Sequence, residues 1–368
     1  MAKPTIQKSY LALFICTFLI GFVLLSSSVF GGEPAIIDHT CVDITRIPES
    51  AIEQAKSTLH IAYGHTSHGS QVTSGMSGLV EFANNGGLGL ALPHDIFKWY
   101  RGGTGGALDL HDYAMDRDAG YYPTWVNNTV DYLGPPDPGT GRGTTQGDVN
   151  VVIWSWCGQV SGRTEQEMAE TYLTPMSRLE TDYPGITFVY MTGHLDGTGA
   201  NGNLNLRNEQ IRDYCKNNGK VLYDFADIES YGPTGQTNYM LLNGDDDCSY
   251  DLNGTGDKNW ATDWQQSHGE GVDWYDCYSA HSKPLNANLK AYAAWWLWAK
   301  IAGWNPDDAS GDTASDPAVP GDDASDPSDP GPDASQDTSS DPSGTGDDSS
   351  DNPSSGGSGG GCFVRNLK

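Results

Sequence analysis

Four short stretches of this chain carry residue types that can do acyl-transfer chemistry. The first is Tyr63-Gly64-His65-Thr66-Ser67-His68-Gly69-Ser70-Gln71. The others are Cys157-Gly158-Gln159, His194-Leu195-Asp196, and the segment from Asp276 to His281. Acyl transfer needs a nucleophile, a base to take its proton, a carboxylate to orient the base, and donors for the oxyanion. Ser67 sits in a glycine-bordered turn and is the candidate nucleophile, with Ser70 in reserve. Ser, Thr and His before a helix also serve as caps and turn formers. The chemistry therefore depends on the other stretches arriving at the same place.

The elements around these stretches are those that would bring them together. Leu59 to Tyr63 reads as a strand, and Val72 to Asn84 carries apolar residues at helical spacing. A strand ending in a turn and passing into a helix points that turn at the carboxyl edge of a sheet, where open α/β sheets bind ligands. Asp148 to Trp156 and Ile186 to Met191 are continuous apolar runs suited to parallel strands covered on both faces. They end at Cys157-Gly158-Gln159 and at Thr192-Gly193-His194. Val221 to Phe225 is a further strand. Pro48–Lys56, Thr164–Leu179, Asn208–Lys216 and the long, mostly apolar Pro284–Trp304 read as helices. This alternation predicts an α/β fold, three-layer α/β/α, with a mostly parallel sheet. Residues 86–147 are rich in Gly, Pro and aromatics and read as long loops with short helices, holding Trp99, Tyr100, Tyr121, Tyr122 and Trp125. Residues 230–276 read as an irregular acidic surface loop. Its Asp245, Asp246, Asp247, Asp251, Asn253 and Asp257 do not match the spacing of a calcium hand loop.

Length and composition bound the rest. Of 368 residues, 1–31 read as a secretory signal: Lys3 and Lys8, then an apolar run from Tyr10 to Leu25, then small residues. Residues 32–304 form the body, large enough for one sizeable core. Residues 305–361 hold fourteen Asp and no Lys or Arg, half of the formal charge of −28, and read as a solvated linker. The body's own acidity argues against nucleic acid or anionic lipid as a partner. No membrane span is expected once the signal is removed. Cys248 with Cys277 is a plausible disulfide staple. Residues 354–364 resemble the start of bacterial C-terminal sorting signals, and Cys362 is a candidate surface tether.

Together, Tyr63 to Ser70, Trp154 to Gln159, Tyr190 to Gly197, Leu222 to Glu229 and Ala280 to Asn286 resemble, in their order, the SGNH/GDSL hydrolase superfamily in a divergent secreted bacterial branch. The likeness covers about residues 58–304. It implies a flavodoxin-like sheet and a serine esterase that needs no metal or other cofactor. It places the nucleophile at Ser67 and the base at His281. The oxyanion donors would be Ser67, Gln159 in place of the usual Asn, and one of Gly102, Gly103, Gly105 and Gly106, with Gly103 taken as representative. The family's Asp three residues before the base is Tyr278 here, so Asp276, the nearest carboxylate, becomes the expected third member, with Asp196 as another. His65, His68, His194 and Asp196 are expected to line the substrate site. An acylated carbohydrate, or another ester, is the expected substrate class.

Two other functions fit the same residues. His65, His68, His194 and His281 with Asp196 could form the ligand set of a metal-dependent hydrolase. A non-catalytic glycan-binding surface protein could have kept the fold without the activity.

Overall fold

The structure, a computed structural model, describes residues 34–251, 255 and 258–307. The expected signal segment, nearly all of the acidic linker and Cys362 lie outside the described residues. The chain in order gives β1 (Ala35–Ile37), α1 (Glu49–Thr58), β2 (His60–Gly64), α2 (Ser70–Asn84), β3 (Trp99–Tyr100), β4 (Leu108–Met115) and α3 (Thr124–Leu133). Next come β5 (Val151–Trp154), α4 (Glu165–Met168), α5 (Thr174–Asp182), β6 (Thr187–Met191), α6 (Asn203–Asn217), β7 (Val221–Tyr223) and α7 (Phe225–Glu229). A small antiparallel pair, β8 (Ser249–Tyr250) with β9 (Lys258–Asn259), precedes α8 (Trp260–Ser267) and α9 (Pro284–Ile301).

The first seven strands form one sheet in the order β1-β7-β6-β5-β2-β4-β3, and every pairing is parallel. Parallel strands must be covered on both faces, and all four residues of β5 are buried accordingly. One helical layer is built from α1, α2, α7 and α9, and the other from α3, α4, α5 and α6. The three-layer α/β/α architecture expected from the sequence is the architecture observed.

Two differences from the expected elements have physical causes. The stretch expected to be long loops with short helices contains the short helix α3 but also the strands β3 and β4. Strand β4 (Leu-Asp-Leu-His-Asp-Tyr-Ala-Met) buries Leu108, Leu110 and Met115 between polar residues, so it lacks the continuous apolar signature of a central strand. The helix expected over Thr164–Leu179 is broken by a π-helical turn at Ala169–Leu173. Pro175 has no N–H to give, and its ring crowds the carbonyl four residues earlier. That carbonyl, on Thr171, instead accepts the Trp125 indole N–H at 3.2 Å.

Disulfide pairing also differs from expectation. Cys248 and Cys277 are both free thiols, as are Cys41 and Cys215, whereas Cys157 is disulfide-bonded. The Cys248 sulfur lies 3.4 Å from Ser282 Oγ, while Cys277 donates to the Pro284 carbonyl at 3.8 Å.

Helix α9 is buried from Leu285 to Ala299. It carries three fully buried polar side chains: Asn286, Asn288 and Lys290. Asn288 accepts from the N–H of Tyr275 at 3.0 Å and donates to its carbonyl at 3.1 Å, pinning the segment that leads to His281. Helix α2 approaches α9 very closely at Gly75, where a Cβ would stand 2.1 Å from the Ala287 carbonyl oxygen. Backbone cannot rotate away as a side chain can. Gly75→Ala is therefore expected to destabilise the fold by about 1–3 kcal/mol, the usual range for overpacking. Urea unfolding measures this, and an unchanged midpoint would show that the two helices are not held so close.

Candidate active site

The sheet has its switch point between β2 and β5, because chain connections leave these neighbours in opposite directions. This is where an open α/β sheet binds ligands. Strand β2 ends at Gly64 beside Trp154, the last residue of β5, and the Ser155 N–H donates to the Gly64 carbonyl at 3.0 Å. The turn His65-Thr66-Ser67-His68-Gly69 and the turn Ser155-Trp156-Cys157-Gly158-Gln159 thus leave the sheet side by side. Gly69 makes that closeness possible. A Cβ there would meet Ser155 Oγ at 2.3 Å and the His65 Cβ at 2.4 Å.

Ser67 is half-buried at this edge, with its Oγ 3.8 Å from Cys157 Sγ. The same sulfur lies 3.5 Å from His68 Nδ1. His68 is the centre of a stack of three imidazoles. Its ring lies 3.8 Å from that of His194, with 2° between the planes, and 4.6 Å from that of His281, with 17° between them. The stack unites turns after β2 and β6 with the segment before α9. His281 is exposed and sits in the left-handed region at φ 60°, which costs a non-glycine residue energy unless its surroundings over-determine it.

One carboxylate serves the stack, and it is Asp246. Its Oδ2 accepts from His68 Nε2 at 2.9 Å and lies 3.9 Å from His194 Nδ1. A carboxylate only accepts, so His68 carries its proton on Nε2 and turns the Nδ1 lone pair toward Cys157 and the Ser67 side. Burial raises the Asp246 pKa, but the His68 hydrogen bond and the charges of His194, His68 and His281 outweigh it and hold the carboxyl below its usual range. Burial pushes His68 down to about 3, against the smaller upward pull of Asp246. Burial likewise lowers His194, whose Nδ1 donates to the Leu195 carbonyl at 2.7 Å.

The remaining expected residues divide. Asp276 is exposed and has no hydrogen bond or ion pair with His281 among the described residues, and the carboxylate at the imidazole stack is Asp246, thirty residues earlier in the chain. Gly103 lies beside Asp109, at the amino end of β4 and so at the opposite edge of the sheet, out of reach of Ser67. Gly102 is beside it, with its N–H on Asp109 Oδ1 at 2.6 Å. Gln159 does reach the site. Its side chain, though, accepts from the Cys157 N–H at 3.1 Å and donates to Asp118 Oδ2 at 3.4 Å, so it shapes the turn. Asp196 is close to His194, but its Oδ1 closes its own turn by accepting from the N–H and hydroxyl of Thr198. Both ring nitrogens of buried His65 are engaged, Nε2 with Asp112 Oδ1 at 2.6 Å and Nδ1 with the Thr66 carbonyl at 2.9 Å. His65 therefore supports the turn and cannot serve as a base.

Three aspartates escaped sequence reasoning. Asp246 stood in an acidic run that reads as solvated surface. Asp112 lies on the unrecognised strand β4. Asp118 is fully buried, accepts from Thr66 Oγ1 at 2.8 Å and from the Gly120 N–H at 2.9 Å, and has its pKa raised by burial. The available signal was the type of neighbour: Asp112, within an alternating Leu-Asp-Leu-His-Asp run, has apolar company that a solvated acid lacks, whereas Asp246, between Asp245 and Asp247, has no such mark.

His68, His194 and Asp246 also offer ligand atoms within 4.8 Å of one another, as a divalent cation would require. Ring orientation counts against it. Parallel stacked imidazoles send their in-plane lone pairs along parallel lines, whereas a metal needs them to converge on one point. No protein-family model matches the chain, and the searches of curated proteins and of solved structures return no match.

The buried imidazoles make acid stability a test of this geometry. Between the ordinary value of 6.5 and about 3, the unfolded chain binds a proton at His68 that the folded site does not. Stability therefore rises with pH across that window and falls on acidification. Asp246 adds a second loss only at lower pH, as its depressed folded pKa is crossed. Denaturant midpoints measured from pH 7 down to 4.5 are expected to fall steeply for the native chain and less steeply for His68→Gln. Parallel curves would place His68 in solvent.

Proposed function

We propose that the chain is an exported serine hydrolase of carboxylic esters, of the SGNH kind. The observation that carries this reading is the imidazole stack, backed by a half-buried carboxylate and set beside Ser67 at the sheet's switch point. Ser67 Oγ attacks the acyl carbon and gives its proton to His281, which is exposed and has no hydrogen-bond partner on its ring among the described residues. Asp246 stabilises the resulting imidazolium by its charge, as the third member of a triad does. The oxyanion is held by backbone N–H groups of the two turns that flank Ser67. The proton then passes from His281 to the departing alkoxide, and water releases the acyl group by the same steps in reverse.

An acylated carbohydrate remains the substrate class this reading favours. Tyr113 (56 % exposed) lies 3.9 Å from the His65 ring, tilted by 40°, and Tyr278 (70 % exposed) stands three residues before His281. Exposed tyrosines offer a flat apolar face and a hydroxyl, which suits a sugar ring. Of the aromatics noted in the sequence, Tyr121 and Tyr122 are exposed, whereas Trp125 belongs to the core. The acidic surroundings favour a neutral polymer over an anionic one. Export rests on the charged and apolar pattern of residues 1–31. No described helix is long and apolar enough to cross a membrane.

A metal-dependent hydrolase at His68, His194 and Asp246 is the second reading, favoured by the spacing of their ligand atoms. Loss of ester hydrolysis on chelation, regained with a divalent cation, would select it over the first.

A fluorophosphonate probe is expected to label the native chain and not Ser67→Ala. On short-chain nitrophenyl esters, Asp246→Asn is expected to lower kcat by about 10³-fold, within the span of general-base effects. Asp276→Asn should leave it unchanged. Labelling of both proteins alike, or sensitivity to Asp276 in place of Asp246, would remove these roles. A protein inert to esters that still binds glycans would be a binding module on the same fold.

A further inference from the structure

Behind the imidazole stack lies a fully buried ion pair that the proposed reaction does not use. Lys290 of α9 and Glu229 at the end of α7 are both sealed from solvent, with Nζ 3.2 Å from Oε2. Burial lowers the Lys290 pKa and raises that of Glu229, so each charge is held at a cost. The Lys290 ammonium also lies 3.6 Å from the centre of the Phe225 ring and donates to Gln71 Oε1. Gln71 is the second residue of α2 and is itself fully buried. Its other amide atom, Nε2, donates to the carbonyl of Ala280 at 2.5 Å. Ala280 immediately precedes His281.

This arrangement has a direction. An amide can face two ways, and its oxygen and nitrogen have nearly the same shape. A lysine ammonium can only donate, so it admits only the oxygen of Gln71. The nitrogen is then forced toward Ala280, whose carbonyl can only accept. Reversing the amide would break both contacts at once. The Ala280 carbonyl belongs to the peptide whose nitrogen is that of His281, so holding it fixes one side of the His281 φ rotation. That is the rotation found at 60°, a value the residue does not favour by itself.

We infer that Lys290, Glu229 and Gln71 are positioning residues that hold His281 in its strained conformation, with Lys290 setting the amide of Gln71 and Glu229 balancing the Lys290 charge. The assignment of His281 as the base rests on the function proposed above, but the positioning does not. None of the three side chains touches Ser67 or a substrate. Their role is to keep the imidazole of His281 on the His68 ring and in line with the Asp246 charge.

Single removal of either charge would leave its partner buried and unpaired, and the chain would unfold for that reason alone. The informative variant removes both. Lys290→Met with Glu229→Leu leaves no isolated charge and fills similar volume, and is expected to melt near the native temperature. Gln71→Met is the second variant. It keeps the length and leaves the Lys290–Glu229 pair in place, but has no N–H for Ala280.

Two readouts separate positioning from mere stability. The first is the NMR titration curve of the His281 imidazole, assigned through His281→Ala and recorded without substrate. Both variants are expected to shift it and to broaden its signals. Curves superimposable on the native one would overturn the inference, whatever the activity. The second is kcat on a nitrophenyl ester, expected to fall by about 100-fold with KM little changed, the scale of a misplaced catalytic group. In a His281→Ala background the same substitutions should have no further effect. Losses that multiply in that background would show a general structural role and overturn the inference. If the native chain hydrolyses no ester, the esterase reading fails, and the NMR curves still decide the positioning. A double variant that does not fold would overturn the positioning role assigned to Lys290 and Glu229, and Gln71→Met would decide the rest.

Discussion

Desolvation of α9 is the constraint on which the remaining geometry depends. A helix closed in from Leu285 to Ala299 has no water for its polar side chains, so the bonds they make come from within the fold, while the Asn286 Oδ1, the Tyr292 hydroxyl and the Trp295 and Trp298 indole N–H groups stay without a partner among the described residues. Asn288 takes the backbone of Tyr275. Asn286 donates to Ser282 Oγ at 2.7 Å. Lys290 takes Gln71 and Glu229, and its own carbonyl accepts the Tyr223 hydroxyl at 2.6 Å. Three of these five attachments act on the segments that flank His281 or begin α2. These bonds thereby place the segment that carries His281.

The site itself shows the same economy of charge. Three imidazoles share one carboxylate, and burial keeps His68 and His194 neutral instead of allowing three like charges to accumulate. The third ring, His281, is the exposed one. A neutral, stacked pair beneath it provides a flat support, and Asp246 sets the sign of the local field. The arrangement differs from a linear triad, since the acid is hydrogen-bonded to the middle ring of a stack.

Part of this was legible in the chain. The buried strands β5 and β6 declare themselves as continuous apolar runs, and the turns that follow them carry Gln159 and His194. The grouping of Ser67, His68 and His194 at one edge follows from parallel topology, whereas His281 follows no strand of the sheet and precedes α9. Other parts were hidden because their signal is shared with something duller. Strand β4 lacks a continuous apolar run and follows the glycines at 102, 103, 105 and 106, so it resembles loop. Asp246 stands among three aspartates in a row, and only one of them turns inward to His68. Gly103 looked like a donor because nothing local tells which end of a strand a glycine-rich turn will occupy.

Sequence by itself determined the alternation of strand and helix, the apolar surfaces that force a three-layer packing, and the carboxyl edge at which the histidines emerge. These follow from short-range periodicity and from the rule that like ends of parallel strands lie together. Tertiary structure alone decided which carboxylate meets the imidazoles, which thiols are free, and which way the amide of Gln71 faces. Each of those depends on contacts between residues far apart in the chain, such as Gln71 with Lys290 or His68 with Asp246, and no local pattern encodes the distance between them.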